Sequence, residues 1–287
     1  MTVTSAIEKS FNEYIKEVEK INKKLFSIIV SHISDFVIDG KFDTSLSNVA
    51  KIKTFLIDAL KKSGYVKATT DYMKLVDTIK EINTKWYNKE SINISKSFDN
   101  LLVKNSENAI NNVLRGDELI RNIVEPLNKS LTSGLILKSD FKETYRNLDN
   151  IINEKRIIPS YIENVAYDVM LEHDGTINNV VKVEHKLKYM YWIGSEIEST
   201  RPICSHIKDK YGSKAISEDQ MQLVLDEFCP NGIPSKKSIT YTTVNGKTFT
   251  REKGSGMKQG TNLENISEKR GGYKCRHEVK YTRRPDL

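Results

Sequence analysis

Between residue 5 and about residue 39, apolar side chains recur at Ile7, Phe11, Tyr14, Ile15, Val18, Ile21, Leu25, Ile28, Ile29, Ile33 and Phe36. Steps of three and four put them on one stripe of a single long helix. Ser5 and Glu8 have capping-box spacing at its start, and Gly40 is its stop. The same periodicity predicts helices over 45–62 with Gly64 as the stop, over 70–87, over 98–114, and over 117–131 with a kink at Pro126. Asp140 with Glu143 predicts the start of a further helix carrying Tyr145, Leu148, Ile151 and Ile152. After Pro159, Ser160 with Glu163 predicts another, running to about Glu172. Stripes of this kind are packing faces, for a core or for an oligomer interface, and carry no chemistry of their own.

The pattern changes near His173-Asp174-Gly175. Leu187, Tyr189, Tyr191 and Ile193 alternate with Lys188, Met190 and Trp192, the period of a strand. A loop through Ser199 to Pro202 leads into Ile203 to Ile207, and Ser217 with Gln220 caps a short helix ending at Cys229-Pro230. Runs at 239–244 and 247–251 flank Asn245-Gly246, the strongest short hairpin signal. A loop with Gly254, Gly256 and Gly260 follows, and 278–282 reads as a last strand. There Arg276, Glu278 and Lys280 are expected on an outward face, opposite His277, Val279 and Tyr281. The predicted fold class is α+β: an elongated N-terminal all-α helical bundle over 1–172, suited to assembly and docking, followed by a small C-terminal α+β domain with a β-hairpin over 173–287.

Composition narrows the function classes. With 14 Gly and 6 Pro among 287 residues, a turn-rich all-β fold is disfavoured. No run approaches the roughly eighteen apolar residues of a membrane span, and the first residues lack an apolar signal core, so neither membrane insertion nor signal-peptide secretion is expected. Three cysteines, Cys204, Cys229 and Cys275, are too few for a disulfide framework and suit assembly in a reducing cytoplasm. From Lys236 onward there are 13 Lys and Arg against 5 Asp and Glu, while the other 235 residues hold 32 against 33. The basic surplus therefore sits at one end, as expected of a surface that meets a polyanion or an acidic partner, or of a solvated basic tail. Lys253, Lys258, Arg276, Lys280, Arg283 and Arg284 are its candidate contact residues. No aromatic ladder or recognition helix accompanies them, so contact with nucleic acid would be phosphate-directed.

The run from Tyr191 to Cys204, with Thr200, Arg201 and Pro202 before the cysteine, and the run Gly271-Gly272-Tyr273-Lys274-Cys275-Arg276-His277 together resemble the MuF-like phage head morphogenesis family. That family pairs a turn motif after a strand with a closing Gly/Cys-Arg motif near the C-terminus. The resemblance covers about residues 185 to 287, and the 239–251 hairpin reads as an insertion between the motifs. It implies a minor virion structural protein of a tailed phage, at the portal vertex or in the head interior and assembled in the host cytoplasm. Such a protein supports head assembly and DNA packaging or ejection. Its implied partners are the portal protein or other head-completion proteins, packaged viral DNA, and further copies of itself. The alternative is a virion-carried effector enzyme, a nuclease or transferase delivered with the genome.

The motif residues also have a reading of their own. Cys204-x-His206 and Cys275-x-His277 together present two sulfurs and two ring nitrogens, a donor set that a structural zinc takes tetrahedrally. They equally suit buried packing of small thiols, or a disulfide formed after lysis. Gly271 and Gly272 permit positive φ before the last strand. Enzyme signatures are absent: there is no G-x-x-x-x-G-K-[ST], G-x-S-x-G or H-E-x-x-H. Gly254-Ser-Gly256 is a poor phosphate cradle, and a thiol–imidazole pair one residue apart is an awkward nucleophile. Glu196 and Glu198 are better placed to pair with Arg201 than to form a catalytic dyad. The expectation is a protein that is not an enzyme.

Overall fold

In the computed structural model, the described residues are 2–38, 41–42, 46–136, 141–194, 200–242, 248–270 and 274–285. The side chains of 37–38, 41–42, 46–49, 134–136, 141, 237–242, 248–251 and 253 fall outside the description. In chain order the elements are α1 (Val3–His32), β1 (Val37–Ile38), β2 (Lys41–Phe42), α2 (Leu46–Lys62), α3 (Tyr65–Met73) and α4 (Leu75–Lys89). Then come α5 (Leu101–Arg115), α6 (Asp117–Leu119), α7 (Glu125–Ile136), α8 (Phe141–Asp149), α9 (Ile157–His185) and β3 (Tyr189–Ile193). The chain closes with α10 (Pro202–Tyr211), β4 (Ile216–Ser217), α11 (Glu218–Phe228), β5 (Lys236–Thr242), β6 (Thr248–Gly254), α12 (Ile266–Lys269) and β7 (Glu278–Thr282). A largely helical region reaching His185 thus precedes a smaller one that mixes helices with an antiparallel sheet of order β4-β3-β7 and a β5-β6 hairpin.

Several elements follow their sequence signals. Ser217 accepts from the Gln220 backbone N–H at 3.2 Å while the Gln220 side chain accepts from the Ser217 N–H at 2.9 Å, so both arms of that capping box are made. β5 pairs with β6 from Lys236↔Gly254 to Thr242↔Thr248; the Asn245-Gly246 turn lies outside the described residues, as do Gly40, Asp140, Glu196, Glu198, Gly271, Gly272 and Tyr273. Gly64, at φ 101°, lies between α2 and α3 as a left-handed stop.

Other expectations are corrected. The α1 cap is Thr2, whose hydroxyl accepts the Ser5 N–H at 3.2 Å; Ser5 itself lies inside the helix. The single helix over 70–87 is two, α3 and α4, parted at Lys74. The irregularity at Pro126 is a π turn over Ile120–Val124, where the helix accommodates a residue that brings no N–H. The run from Ile203 to Ile207, to which the spacing assigns no element, lies in α10, and Pro202, expected at the end of a loop, occupies its first turn, where a missing N–H costs nothing. Most consequentially, α9 does not stop near Glu172: it runs 29 residues, straight through Gly175. A Cβ at Gly175 would lie 2.2 Å from the Ser267 carbonyl oxygen and 2.4 Å from Glu268 Cα, so glycine here admits a neighbouring backbone rather than a turn.

The chain divides into two compact units. One comprises Glu8–Leu75 and Asn108–Tyr167 and is helical apart from the short β1-β2 ladder. Within it Tyr14, Val18, Ile21, Leu25, Ile29 and Ile33 bury the α1 stripe; the Tyr14 ring stacks on Tyr72 at 4.5 Å and its hydroxyl bonds Thr69 at 2.8 Å. Buried Asn22 donates to the Ile152 carbonyl at 2.6 Å, which satisfies the amino half of its amide, while Oδ1 is buried without a hydrogen-bond partner.

The other unit comprises Met1–Ile7, Val76–Glu107 and Asp168–Leu287 and contains the sheet. β3 pairs with β4 through Tyr189↔Ser217 and with β7 from Tyr189↔Thr282 to Ile193↔Glu278. Every residue of β7 is buried, which overturns the outward face expected for Glu278 and Lys280: they are 2% and 1% exposed. Their face meets a polar network instead of water. Lys280 Nζ donates to Asn83 at 2.6 Å and to Asp174 at 3.0 Å and lies 3.5 Å from Glu278, while Arg270 pairs with the other Asp174 oxygen. Asn83 and Asn178 also donate to Asp174, at 2.8 and 3.1 Å. Two cations and two carboxylates balance the site, which is how charges survive burial. Burial pushes the Asp174 carboxyl up, but Lys280 and Arg270 outweigh it and hold it well below the ordinary carboxylate range. Burial likewise raises Glu278, with Lys280 acting against it.

Candidate metal centre

Three side chains of the sheet-bearing unit converge. The Cys204 and Cys275 sulfurs are 3.9 Å apart, the Cys275 sulfur is 3.9 Å from His277 Nδ1, and ligand atoms of all three residues lie within 4.8 Å of one another. They are 1%, 4% and 3% exposed. Thiolates bound at about 2.3 Å to one tetrahedral ion stand about 3.8 Å apart, and a thiolate and an imidazole nitrogen about 3.5 Å. The two 3.9 Å spacings are close to those of a shared ion, and the sulfur–sulfur distance is far from the roughly 2.05 Å of a disulfide; all three cysteines are free thiols. His277 Nε2 is also buried without a hydrogen-bond partner. The cluster can hold a metal.

Each ligand is placed by local structure. Cys204 is the third residue of α10, in a first turn that Pro202 opens and that is tied down by the Ile203 N–H donating to the Ser255 carbonyl at 3.2 Å. Arg201 precedes it and donates to the Gly256 carbonyl at 3.0 Å; a Cβ at Gly256 would meet the Arg201 side chain at 2.5 Å, so this glycine makes room for an arginine and cradles no phosphate. Cys275 and His277 sit in an extended run before and into β7, where residues two apart share a face. The Lys274 N–H donates to Asp168 Oδ1 at 2.6 Å, fixing a positive-φ residue just before Cys275. Arg270 Nη1 donates to the His277 carbonyl at 3.1 Å, so the buried charge network also anchors this ligand. At the end of β3, a Cβ on Gly194 would lie 2.6 Å from the His277 ring, and the Trp192 ring centroid is 6.2 Å from that of His277.

The sulfurs are electrically unequal. The hydrogen bond from Cys204, aided by His277 and opposed by burial, holds Cys275 well below the ordinary thiol range. The same contact, with burial, pushes Cys204 well above it.

His206 does not join the cluster. Its ring lies 4.9 Å from that of Phe228, with Nε2 3.9 Å from Glu227. The reason is helical: residues two apart on α10 point to nearly opposite sides, so Cys204 and His206 cannot face one centre. Cys229 stands apart, donating to the Lys258 carbonyl at 3.9 Å. Of the expected basic contact residues, Arg276, Arg283 and Arg284 are exposed, Lys280 is buried, and Lys258 is ion-paired to Glu172 at 2.6 Å with its side chain 14% exposed. The Lys253 side chain lies outside the described residues. Thr200 and Arg201 are half-buried beside the cluster, and Pro202 opens α10.

Sequence reasoning missed Asp168, Asp174 and Arg270, which position the cluster without belonging to either motif, and gave no role to Gly194, which lies in the first run. A larger open groove of about 600 Å³ in the helical unit is lined by Glu17, Lys20, Lys67 and Asp71 among others. These pair mutually, Lys20–Glu17 and Lys67–Asp71 each at 2.9 Å, and converge on no ligand. Among the described residues no helix is long and apolar enough to cross a membrane. Comparison with protein-family models, curated proteins and solved structures finds no match to this chain.

Proposed function

We propose that the protein is a structural and interaction protein of the MuF-like kind, a minor component of a tailed-phage virion at the portal vertex or in the head interior. In this reading a structural zinc held by Cys204, Cys275 and His277 staples its sheet-bearing unit. The observation that carries it is the meeting of two cysteines 71 residues apart, one from each motif, at 3.9 Å. Two motifs that build one centre are a stronger basis for a resemblance than either motif alone. The burial of all three ligands suits a staple better than a catalyst, which needs substrate at the metal. Exposed Arg276, Arg283 and Arg284 supply a basic surface for packaged DNA or for an acidic patch on a head partner, with Lys258 and Lys280 withdrawn from it.

The test is compositional. Particles of the phage that encodes the chain, banded on a density gradient, should contain it at low copy, and purified protein should carry one zinc per chain. Absence from both DNA-filled particles and empty heads would overturn the virion reading. Absence of stoichiometric zinc would overturn the staple.

A further inference from the structure

We infer that the Cys204–Cys275–His277 centre is a redox switch, in which a hydroperoxide converts the two metal-bound thiolates into a Cys204–Cys275 disulfide and expels the ion. The inference rests on the zinc reading above and adds the regulation of that site. One arrangement of side chains serves both states. The two sulfurs stand 3.9 Å apart, close to the spacing of two thiolates on one ion, and a disulfide brings them to about 2.05 Å. Each sulfur then has about 1 Å to move, which is a side-chain adjustment. Cys229, the remaining thiol of the chain, is directed at the Lys258 carbonyl and does not compete.

The site has room for a small oxidant. Both sulfurs and His277 line one cavity of about 200 Å³, and two further residues of its wall, Lys274 and Arg276, are exposed. Hydrogen peroxide is about the size of two waters, each taking about 30 Å³. One thiolate sulfur attacks the peroxide; the O–O bond breaks, a sulfenic acid forms and hydroxide leaves. The second thiolate attacks the sulfenyl sulfur; the S–O bond breaks, the S–S bond forms and a second hydroxide leaves. Two electrons pass from the sulfurs to the peroxide, and two solvent protons turn the hydroxides into water. Whatever completes its coordination, the ion loses both sulfur ligands, and a disulfide sulfur is no substitute for a thiolate. Either state ties the start of α10 to the segment entering β7 across 71 residues. Zinc makes that tie in a reducing cytoplasm, and the disulfide makes it once the protein meets an oxidising exterior.

The experiment treats the full chain, loaded with one equivalent of zinc, with hydrogen peroxide. Released zinc is read with a colorimetric chelator, and the cysteines are mapped by mass spectrometry without reduction. The expected result is release of close to one zinc per chain, in step with a Cys204–Cys275 cross-linked peptide two hydrogens lighter than its parts. Dithiothreitol and fresh zinc should restore the starting form, and Cys229→Ser should respond as the unaltered chain does. Zinc retained with both thiols intact, at peroxide that oxidises free cysteine, overturns the switch and leaves the staple standing. Release accompanied by sulfinic acids, or by cross-links through Cys229 in place of the Cys204–Cys275 pair, overturns it too. A chain that takes up no zinc before peroxide is added removes the staple and the switch together.

Discussion

Replacing Asp174 with asparagine removes one charge from a buried set of four while keeping the side chain's size. Asp174 is fully buried and receives hydrogen bonds from Arg270, Lys280, Asn83 and Asn178. In the variant, Arg270 and Lys280 face only Glu278, whose carboxylate lies 3.5 Å from Lys280, and one buried cation has no counter-charge. Breaking a buried pair from one side costs about 3–5 kcal/mol, most of it the desolvation of the charge left behind. Adding Arg270→Met restores balance, because Glu278 and Lys280 remain as a pair. It also strands the Ser267 and His277 carbonyls that Arg270 serves, at about 1–3 kcal/mol. The two single costs should therefore not add: a coupling of about 2 kcal/mol or more is expected in the double-mutant cycle. Urea unfolding followed by tryptophan fluorescence reads the right part of the chain, since both tryptophans, Trp86 and Trp192, belong to the sheet-bearing unit. A loss under 1 kcal/mol for Asp174→Asn, or additive costs in the double variant, would refute the reasoning.

Two further outcomes follow from buried positions in the same unit. Burial holds the His173 imidazole down to about 4, with Ser106 hydrogen-bonded to Nδ1 at 2.7 Å; the unfolded ring takes its proton near 6.5, so the unfolded state binds more protons between those values. Stability should fall as pH drops through that window, by up to about 3 kcal/mol, and His173→Gln should flatten the dependence in urea titrations at pH 4.5 and 7. Gly175→Ala should cost about 3 kcal/mol by driving a methyl into the Ser267 carbonyl, while Gly254→Ala, with nothing within 4 Å, should change the thermal midpoint little; equal effects would sink the close-packing account.

Legibility varied with the reach of the interaction. The α11 capping box, the β3 alternation and the α1 stripe are local patterns and could be read directly. The partner of a stripe is not local: nothing in the spacing of α4 says that Asn83 and Tyr87 pack in the unit that holds β7. Gly175 looked like a breaker because its reason, the Ser267 backbone, is 92 residues away. Lys280 and Glu278 looked wet because alternation reports polarity, and a polar face covered by Asp174 and Asn83 has the same signature as one facing water. The cluster itself was half legible. The pairing of Cys204 with Cys275 came from the motifs and the Cys275-x-His277 spacing suited an extended segment, whereas the first Cys-x-His lay on an unrecognised helix and lost its histidine.

The position of β7 bears on how the chain folds as it is made. β3 is complete at Ile193, but its longer pairing partner arrives only at Glu278–Thr282, and the Val3 N–H waits for Glu278 Oε2 across 275 residues. A loop of that length is closed late and slowly. The helical unit is built from residues up to Tyr167, so during translation its whole length precedes the stretch from Asp168 onward that makes up most of the other unit. Until Thr282 emerges, β3 keeps an open edge and Asp174 lacks Lys280, so this is the interval in which the sheet-bearing unit most exposes an unpaired strand and an unbalanced buried charge.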